Sequence, residues 1–323
     1  MKQLEQAIFE IQTPAHFEQV ALEIFAYQYQ NNRVYADYLD RLGRPAPANT
    51  REIPCLPISF FKTHAVRTSD KAPEVVFMSS GTTGMIRSTH GVEKAALYEK
   101  SFFPIYKEQI GDPQEQIILA LLPNYIEQGN SSLVYMVDHL IKASNNPRSG
   151  FYLDNPEELL HAYAEGLKTG KKIILFGVSY ALLDLADLKP DLSRAIIIET
   201  GGMKGRRKEL TKEELHATLK EAFGVPYISS EYGMTELLSQ AYSNRDGLFD
   251  LPRWMDIQIR DVNDPFALLE AGKTGGINVI DLANLYSCAF IATQDLGKRA
   301  GAQFQWMGRF DHADIRGCNL LVG

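Results

Sequence analysis

A run of hydroxyl-bearing residues and glycines is the sharpest chemical signal in the sequence. The run is Ser79, Ser80, Gly81, Thr82, Thr83 and Gly84. It directly follows an apolar, β-branched segment, Val75–Met78. The glycines allow a tight turn close to a bulky anion, the four hydroxyls supply donors, and a helix after the loop would add its amide end. An ordinary Ser/Thr/Gly turn is the alternative, but the position at a strand end favours a polyphosphate site.

A second motif, Ser229–Glu236, follows a short apolar segment. Its Tyr232 could stack on a purine, Thr235 could donate to a phosphate, and Glu236 could hold Mg²⁺ against phosphate oxygens. Alone it is weak, because glutamates that open helices are common caps. Together with the first motif, it favours a nucleotide site.

Two charged residues near the end of the chain form a third candidate. Asp295 and Arg309 lie fourteen residues apart, each in a glycine-marked segment that we expect to be a turn between strands. From two sides they could hold a ribose. A turn aspartate and a surface ion pair are the alternative.

Other chemically suggestive positions are weaker. Gly272–Thr274 imitates the end of a P-loop, but Ala267 stands where that pattern needs a glycine, so we expect a turn. His90 follows the first motif by six residues; contact with phosphate or acyl substrate and a polar helix start explain it equally well. Cys55 and Cys288 have no reactive context and are interpreted as packing residues.

The elements that would position these residues are strands alternating with helices. Strands are predicted at 75–78, 117–122, 173–176 and 195–198, and helices at 92–108, 131–143, 156–168, 179–187 and 211–222. Continuous apolar strands of this kind predict an α/β fold, a parallel sheet with helices on both faces. After about residue 250, short strands without intervening helices predict a small β-rich subdomain.

The predicted organisation has three parts: an N-terminal helical strap (1–74), an α/β nucleotide-binding body (75–250) and a β-rich subdomain (251–323). The net charge of −7 argues against nucleic acid as a partner, because the one dense basic run, Lys204–Lys208, is too short. Three scattered cysteines fit a reducing compartment. With no signal peptide or membrane span recognised, we expect a cytoplasmic protein.

In this order and spacing, the motifs resemble those of the adenylate-forming superfamily of acyl- and aryl-CoA synthetases, adenylation domains and luciferases. The resemblance covers roughly residues 75–318. The matching segments are Ser79–Gly84, Glu199–Gly202, Tyr232–Glu236, Asp295–Gly297 and Gly308–Asp311. The segment Leu122–Tyr125, with Gly129, looks like the acyl-pocket segment of the superfamily.

The resemblance implies an enzyme that uses ATP and Mg²⁺ to activate a carboxylic acid as an acyl-adenylate. Tyr232 would stack on adenine, Thr235 would touch the α-phosphate and Glu236 would bind Mg²⁺, while Asp295 and Arg309 would hold the ribose hydroxyls. The other nucleotide-binding residues that it implies are Ser79, Ser80, Gly81, Thr82, Thr83, Gly84, Gly201, Gly202 and Gly233.

The sequence departs from the superfamily pattern in two ways, which bear on the branch of the superfamily that it resembles. Met85–Arg87 stands where most relatives carry Pro-Lys-Gly, and whether Arg87 replaces that lysine stays open. The chain stops at Gly323, so we expect the superfamily's mobile C-terminal domain, with its adenylation lysine, to be absent. A chain of this kind resembles the acyl-protein synthetase branch, the fatty-acid-activating subunit of the bacterial bioluminescence aldehyde-forming system.

The acceptor of the acyl group has several candidates. Members of that branch accept the acyl group on a cysteine near the C-terminus, and Cys318 fits that place. A buried core cysteine is an equal interpretation of Cys318; CoA, an acyl-carrier protein or an acyl reductase partner are then the implied partners. A rival hypothesis makes the protein a degenerate, non-catalytic nucleotide- or acyl-binding subunit of a larger complex.

Overall fold

Helices and strands alternate through the middle of the chain. The computed structural model describes residues 2–80, 86–123, 130–201, 210–243 and 247–310. The helices are α1 (Lys2–Phe9), α2 (Pro14–Asn31), α3 (Arg33–Leu42), α4 (Phe60–Thr63), α5 (Ala95–Gln109), α6 (Ser132–Ser144), α7 (Pro156–Leu167), α8 (Ser179–Ala186) and α9 (Lys212–Phe223). The strands are β1 (Leu56–Pro57), β2 (Val75–Met78), β3 (Thr89–Val92), β4 (Gln116–Leu121), β5 (Gly150–Phe151), β6 (Lys172–Val178), β7 (Ala195–Thr200), β8 (Ser229–Tyr232), β9 (Ala241–Ser243), β10 (Leu248–Phe249), β11 (Met255–Arg260), β12 (Thr274–Asp281), β13 (Phe290–Ala300) and β14 (Gln303–Arg309).

A largely parallel sheet forms the centre of the fold, in the order β5-β4-β6-β7-β8-β9. Its strands run parallel except β9, which pairs antiparallel with β8. Every residue of β4 and all of β6 except Lys172 are buried. Strands buried on both faces need a continuous apolar sequence, which is why these segments lack alternation. The predicted α/β fold is confirmed.

The carboxyl ends of β6, β7 and β8 lie side by side at one edge of this sheet. Pairing of Val178 with Thr200, and of Thr200 with Glu231, brings the three ends level. Gly201 follows β7 with φ of 69°, a left-handed conformation that a residue with a Cβ adopts only under strain. The edge of a parallel sheet at strand carboxyl ends is where ligands of open α/β folds bind.

The C-terminal part of the described chain is rich in strands, as predicted, and they form a mostly antiparallel sheet. Its order is β10-β14-β13-β12-β11, and β1 joins it parallel to β13. Burial alternates strictly along β11, which matches the alternating sequence Asp256–Arg260. The pseudo-P-loop segment lies at the start of β12, where Gly272 has φ of 82°.

The strand before the hydroxyl-rich loop differs from expectation. The sequence predicts β2 as a buried strand among the parallel ones and a helix after the loop. Instead β2 pairs antiparallel with β3, Phe77 is its one buried residue, and Val76 is exposed. A run of four apolar residues fits any strand partner, so its composition cannot select the parallel sheet. With β3 after the loop, the expected helix amide end is not found in residues 86–94.

The N-terminal helices pack on the end of the antiparallel sheet. The buried amide of Gln28 donates to the carbonyls of Asn284 and Leu285, at 3.0 and 2.9 Å, and Asn32 donates to Ser287 O at 2.9 Å. These bonds tie α2 to the segment between β12 and β13. The division of the chain into three parts stays a prediction. In the parts of the chain that the structure describes, no helix is long and apolar enough to cross a membrane.

Candidate active site

The base of the hydroxyl-rich loop and the Tyr-Gly-x-Thr-Glu motif both lie next to Ser88. At the base of the loop, Ser79 N donates to Ser88 O (3.0 Å) and Ser88 N donates to Ser79 Oγ (2.9 Å). The Ser88 side chain lies close enough to Glu236 to lower the pKa of its carboxyl. Ser80 is exposed at the start of the loop. Four predicted phosphate-binding residues lie outside the described residues: Gly81, Thr82, Thr83 and Gly84.

Thr235 and Glu236 lie in a loop between β8 and β9 and do not open a helix, so the helix-cap interpretation of Glu236 is wrong. Two side chains hold consecutive carbonyls of this loop. His90 Nδ1 donates to Thr235 O at 2.8 Å, and Asn284 Nδ2 donates to Glu236 O at 2.6 Å. His90 lies in β3, so neither interpretation of it from sequence, as a helix start or as a substrate contact, describes this bond.

A buried aspartate fixes the rest of the same loop. Asp281, fully buried at the end of β12, accepts hydrogen bonds from Leu238 N (2.7 Å) and from Ser239 N (2.9 Å) and Oγ (2.5 Å). A carboxylate that accepts two backbone amides and a hydroxyl holds its partners strongly. The loop is therefore anchored on both sides of Glu236.

The Glu236 carboxylate combines burial with nearby positive charge. Only 6% of the residue is exposed. Burial raises its pKa, and this outweighs the Ser88 hydrogen bond and the charges of Arg309 and Lys62, which act in the opposite direction. Lys62 comes from α4 and Ser88 from the segment before β3; neither stands in a motif, so the sequence offered no signal for them.

Asp295 and Arg309 form the ion pair that the alternative interpretation expected, but they lie in strands and not in turns. They lie directly opposite each other in β13 and β14, with Arg309 Nε 3.3 Å from Asp295 Oδ1. Asp295 is buried, whereas the Arg309 side chain is 77% exposed. Burial raises the pKa of Asp295, against the opposing effect of Arg309, Tyr232 and Trp306. A single long hairpin explains why residues fourteen apart become neighbours.

Tyr232 links the strand end to this pair. Its hydroxyl donates to Asp295 Oδ2 at 3.0 Å. The ring is buried and meets Phe249 and Phe304 edge-on, with centroids 5.9 and 5.2 Å away. Stacking of Tyr232 on adenine stays a prediction. What the structure adds is the hydroxyl contact, which the sequence did not indicate.

The segment before Gly201 carries a buried charge. Glu199 Oε1 accepts from Ser179 Oγ at 2.8 Å, and Lys212 Nζ lies 3.2 Å from Glu199 Oε2. Although burial opposes ionisation, Lys212, His216 and Ser179 lower the pKa of Glu199 to about 2. The Ser179 hydroxyl also donates to Gly201 O, which fixes the start of the predicted adenine loop. Gly202 and the basic run Lys204–Lys208 lie outside the described residues.

A second glutamate, Glu231, lies beside Glu199, and its pKa is shifted in the opposite direction. Thr200 Oγ1 donates to Glu231 Oε2 at 2.5 Å. Burial, together with the negative charge of Glu199, raises the pKa of Glu231 to about 7. An added Cβ on Gly233 would lie 2.3 Å from Glu231 Oε1, so a glycine there leaves room for this carboxyl.

Glu231→Gln is expected to change how stability depends on pH. The folded protein holds the Glu231 proton more tightly than the unfolded chain does, where the pKa is 4.5, so the wild-type free energy of unfolding falls as pH rises from about 4.5 to about 7. Glutamine carries no such proton, and the variant should gain on the order of 1–3 kcal/mol relative to wild type above pH 7. Urea unfolding between pH 5 and 8 measures this gain. A constant difference between the two proteins across that range would contradict the shifted pKa.

Comparison with known proteins places this arrangement in a family. The acyl-protein synthetase family, LuxE, matches residues 7–323. The chain belongs to that family. The match confirms the resemblance drawn from the motifs. Among curated proteins, none matches the sequence.

Solved structures similar to this member of the family are adenylate-forming enzymes. ATP-bound MatB from Rhodopseudomonas palustris has a TM-score of 0.53 at 18% identity, covering 75% of this chain and 50% of that one. A 2-hydroxyisobutyryl-CoA ligase in complex with 2-HIB-AMP has a TM-score of 0.65 at 12% identity, covering 93% and 69%. The luciferase-like enzyme of the mealworm Zophobas morio has a TM-score of 0.51 at 14% identity, covering 76% and 60%.

At these identities the TM-scores show a shared fold. The chain spans about half the length of the MatB structures. Two further predicted features lie outside the described residues: most of the acyl-pocket segment (Asn124–Gly129) and Cys318.

Proposed function

We propose that this protein uses ATP and Mg²⁺ to activate a carboxylic acid of the fatty-acid class as an acyl-adenylate, and passes the acyl group to a thiol. The observation that carries the proposal is the position of Ser88, which bonds Ser79 at the base of the phosphate loop and lies close enough to Glu236 to lower the pKa of its carboxyl. Membership of the acyl-protein synthetase family supports it. So do the ATP and the acyl-adenylate held by relatives of the same fold.

The first half-reaction needs charge neutralisation and alignment. A carboxylate oxygen of the acid attacks the α-phosphorus of ATP, the bond to the bridging oxygen breaks, and pyrophosphate leaves with its electron pair. The acid is already ionised at neutral pH, so no protein base is required. Lys62 and Arg309, whose charges both act on Glu236, suit a site that binds a polyanion.

Each predicted residue has a place in this proposal. The loop hydroxyls would orient the β- and γ-phosphates, Thr235 would donate to the α-phosphate, and Asp295 with Arg309 would hold the ribose. Gly201, Gly202 and Tyr232 would enclose the adenine, with Gly233 leaving room for the turn. Positioning of this kind converts an encounter of two reactants into one aligned step.

Glu236 is suited to act as the single protein ligand of a bound Mg²⁺ ion. Its carboxylate is buried next to a hydroxyl, and the described residues contain no cluster of three or more His, Cys, Asp or Glu side chains that could form a complete metal cage. Mg²⁺ commonly takes one or two carboxylates and completes its shell with phosphate oxygens and water. When bound, the ion would neutralise phosphate charge during attack.

The acyl acceptor is proposed to be Cys318, with CoA or the thiol of a carrier protein as alternatives and an acyl reductase as the partner that takes the product. The chain has three cysteines. Cys55 and Cys288 are buried; burial raises the pKa of Cys55 to about 12 and that of Cys288 further. Since the thiolate is the nucleophile, neither suits the role. A reducing cytoplasm would keep Cys318 available.

Acid-dependent exchange of labelled pyrophosphate into ATP tests the function. We expect exchange with Mg²⁺ and fatty acids of some chain length, and none without an acid. ATP binding by calorimetry with no exchange across a panel of aliphatic and aromatic acids would favour the rival, a non-catalytic nucleotide-binding subunit.

Asp295→Asn is expected to raise the KM for ATP about tenfold with a small change in kcat, because one charged partner of the ribose hydroxyls is lost. Steady-state exchange at varied ATP concentration measures this. Asp256→Asn is the matched control: Asp256 also pairs with an arginine across the same sheet, Arg299, but away from the site. An equal rise in both variants would show that the effect on KM is not specific to the ribose contact.

A further inference from the structure

A small, partly open cavity lies behind the Thr235–Glu236 loop. Its volume is about 10 Å³, room for one water molecule. The residues that line it include His90, Leu97, Leu238, Asn284, Tyr286 and Ser287. Two of them, His90 and Asn284, are the side chains that hold the carbonyls of Thr235 and Glu236.

Two buried hydrogen-bond acceptors on residues that line this cavity have no donor in the described part of the chain. His90 Nδ1 donates to Thr235 O, so a neutral imidazole presents Nε2 as an acceptor. Asn284 Nδ2 donates to Glu236 O, so its Oδ1 is also an acceptor. Both atoms are buried and neither has a hydrogen-bond partner among the described residues. Two acceptors cannot satisfy each other, and leaving both unpaired is costly.

The imidazole is neutral near pH 7. Burial lowers the pKa of His90 to about 4, although its contacts with Thr235 and Asn284 act in the opposite direction. Among the charged groups that line the cavity, Lys94 is engaged by Glu5 and by the Tyr286 hydroxyl, and Glu93 by Ser69. The hydrogen-bond donor that His90 Nε2 and Asn284 Oδ1 need is therefore not one of these charged side chains.

We propose that a single buried water molecule occupies the cavity, donates to His90 Nε2 and to Asn284 Oδ1, and locks these two side chains as positioning residues for Thr235 and Glu236. A water that bonds two buried polar atoms without other partners is a stable part of a fold. The role in positioning rests on the proposed function; the water does not.

Locking both side chains fixes the peptide plane between Thr235 and Glu236. Their two carbonyls are consecutive, so His90 and Asn284 together set the direction in which the threonine hydroxyl and the glutamate carboxylate leave the backbone. The buried ring of Phe61 packs edge-on against His90, with centroids 5.6 Å apart, and supports the imidazole from the side of α4. Misplacement of a reacting group by about 1 Å costs on the order of a hundredfold in rate.

The wild-type protein tests the water directly. Nitrogen-15 NMR of His90 at pH 7 should show a protonated Nδ1 and an unprotonated, hydrogen-bonded Nε2, and a high-resolution crystal structure should show one ordered water between Nε2 and Asn284 Oδ1. An imidazole protonated on both nitrogens, with Nε2 donating directly to Asn284, would overturn the proposal. So would an empty cavity.

Three variants of His90 test the positioning role. Asparagine can reproduce the Nδ1 donor, glutamine reaches only the Nε2 position, and phenylalanine keeps the ring against Phe61 but removes both nitrogens. We expect His90→Asn to retain exchange within about threefold, and His90→Gln and His90→Phe to lose roughly tenfold or more in kcat. In the latter two, amide hydrogen exchange of residues 233–240 should rise about tenfold, because the loop loses its anchor.

His139→Phe is the matched control. Its Nδ1 makes the same kind of bond, to Tyr135 O at 2.9 Å, within α6 and away from the loop. If His90→Phe protects residues 233–240 as well as wild type does, the positioning role is wrong. If wild type shows no pyrophosphate exchange with any acid, the proposed function fails, while NMR, the crystal structure and loop protection still decide whether the water and the anchor exist.

Discussion

Glu236→Gln is expected to lower the rate of acid-dependent ATP–pyrophosphate exchange roughly 10²- to 10³-fold. The glutamate is proposed to supply the one carboxylate that binds Mg²⁺ against the phosphates, and glutamine is a far weaker ligand for a hard cation. Exchange rates at saturating ATP, measured over a range of Mg²⁺ concentrations, check this. Added Mg²⁺ should restore part of the activity, because the loss is one of metal affinity.

The same substitution should leave the fold intact. Burial raises the pKa of Glu236, so holding the ionised carboxylate there costs free energy, and a neutral amide of the same shape removes that cost. We therefore expect no fall in Tm. Glu165→Gln, on the exposed face of α7, is the control for loss of a glutamate and should retain full activity. Wild-type exchange by the Glu236 variant would remove the metal assignment.

Cys318→Ser is expected to abolish covalent acylation while preserving pyrophosphate exchange within about twofold, because activation and transfer use different groups. Incubation with ATP, Mg²⁺ and a labelled fatty acid should leave a hydroxylamine-sensitive label on the wild-type protein. The serine hydroxyl is not ionised at neutral pH and should carry none.

Cys55→Ala is the matched control, since its thiol is buried and its removal should leave the label in place. Persistent label on Cys318→Ser, or label only on added CoA or carrier protein, would move the acceptor off this chain. Pyrophosphate exchange in the same samples keeps these outcomes separate from a failure of activation.

The sequence predicted the central sheet better than the hairpin before it. Six consecutive apolar or buried positions in β4 fit only a strand covered on both faces, and the flanking amphipathic segments 131–143 and 156–168 became α6 and α7. The four residues of β2 carry no comparable constraint. Their partner is set by where the chain returns at β3, which depends on packing between distant segments.

The candidate site likewise contains residues that could be predicted from the sequence and residues that could not. Asp295 and Arg309 could be paired from sequence because a hairpin converts a spacing of fourteen into direct opposition. Ser88, Lys62 and Asn284 could not be found, because each reaches the Thr235–Glu236 loop from another element and none has a distinctive neighbour. Motifs reveal residues that meet a ligand, whereas the residues that hold those motifs in place are determined by tertiary contacts.

The bonds between α2 and the segment after β12 bear on the order of events during synthesis. Gln28 is separated from its partner Asn284 by 256 residues, and Asn32 from Ser287 by 255. Gln28 and Asn32 therefore lack these protein partners on the ribosome until nearly the whole described chain has emerged, when the parallel sheet already has all of its strands. Because Asn284 also holds Glu236 O, we expect the N-terminal helices to close onto this segment and the Thr235–Glu236 loop to be completed in one late step. A nascent chain would then form its candidate site only as its folding ends.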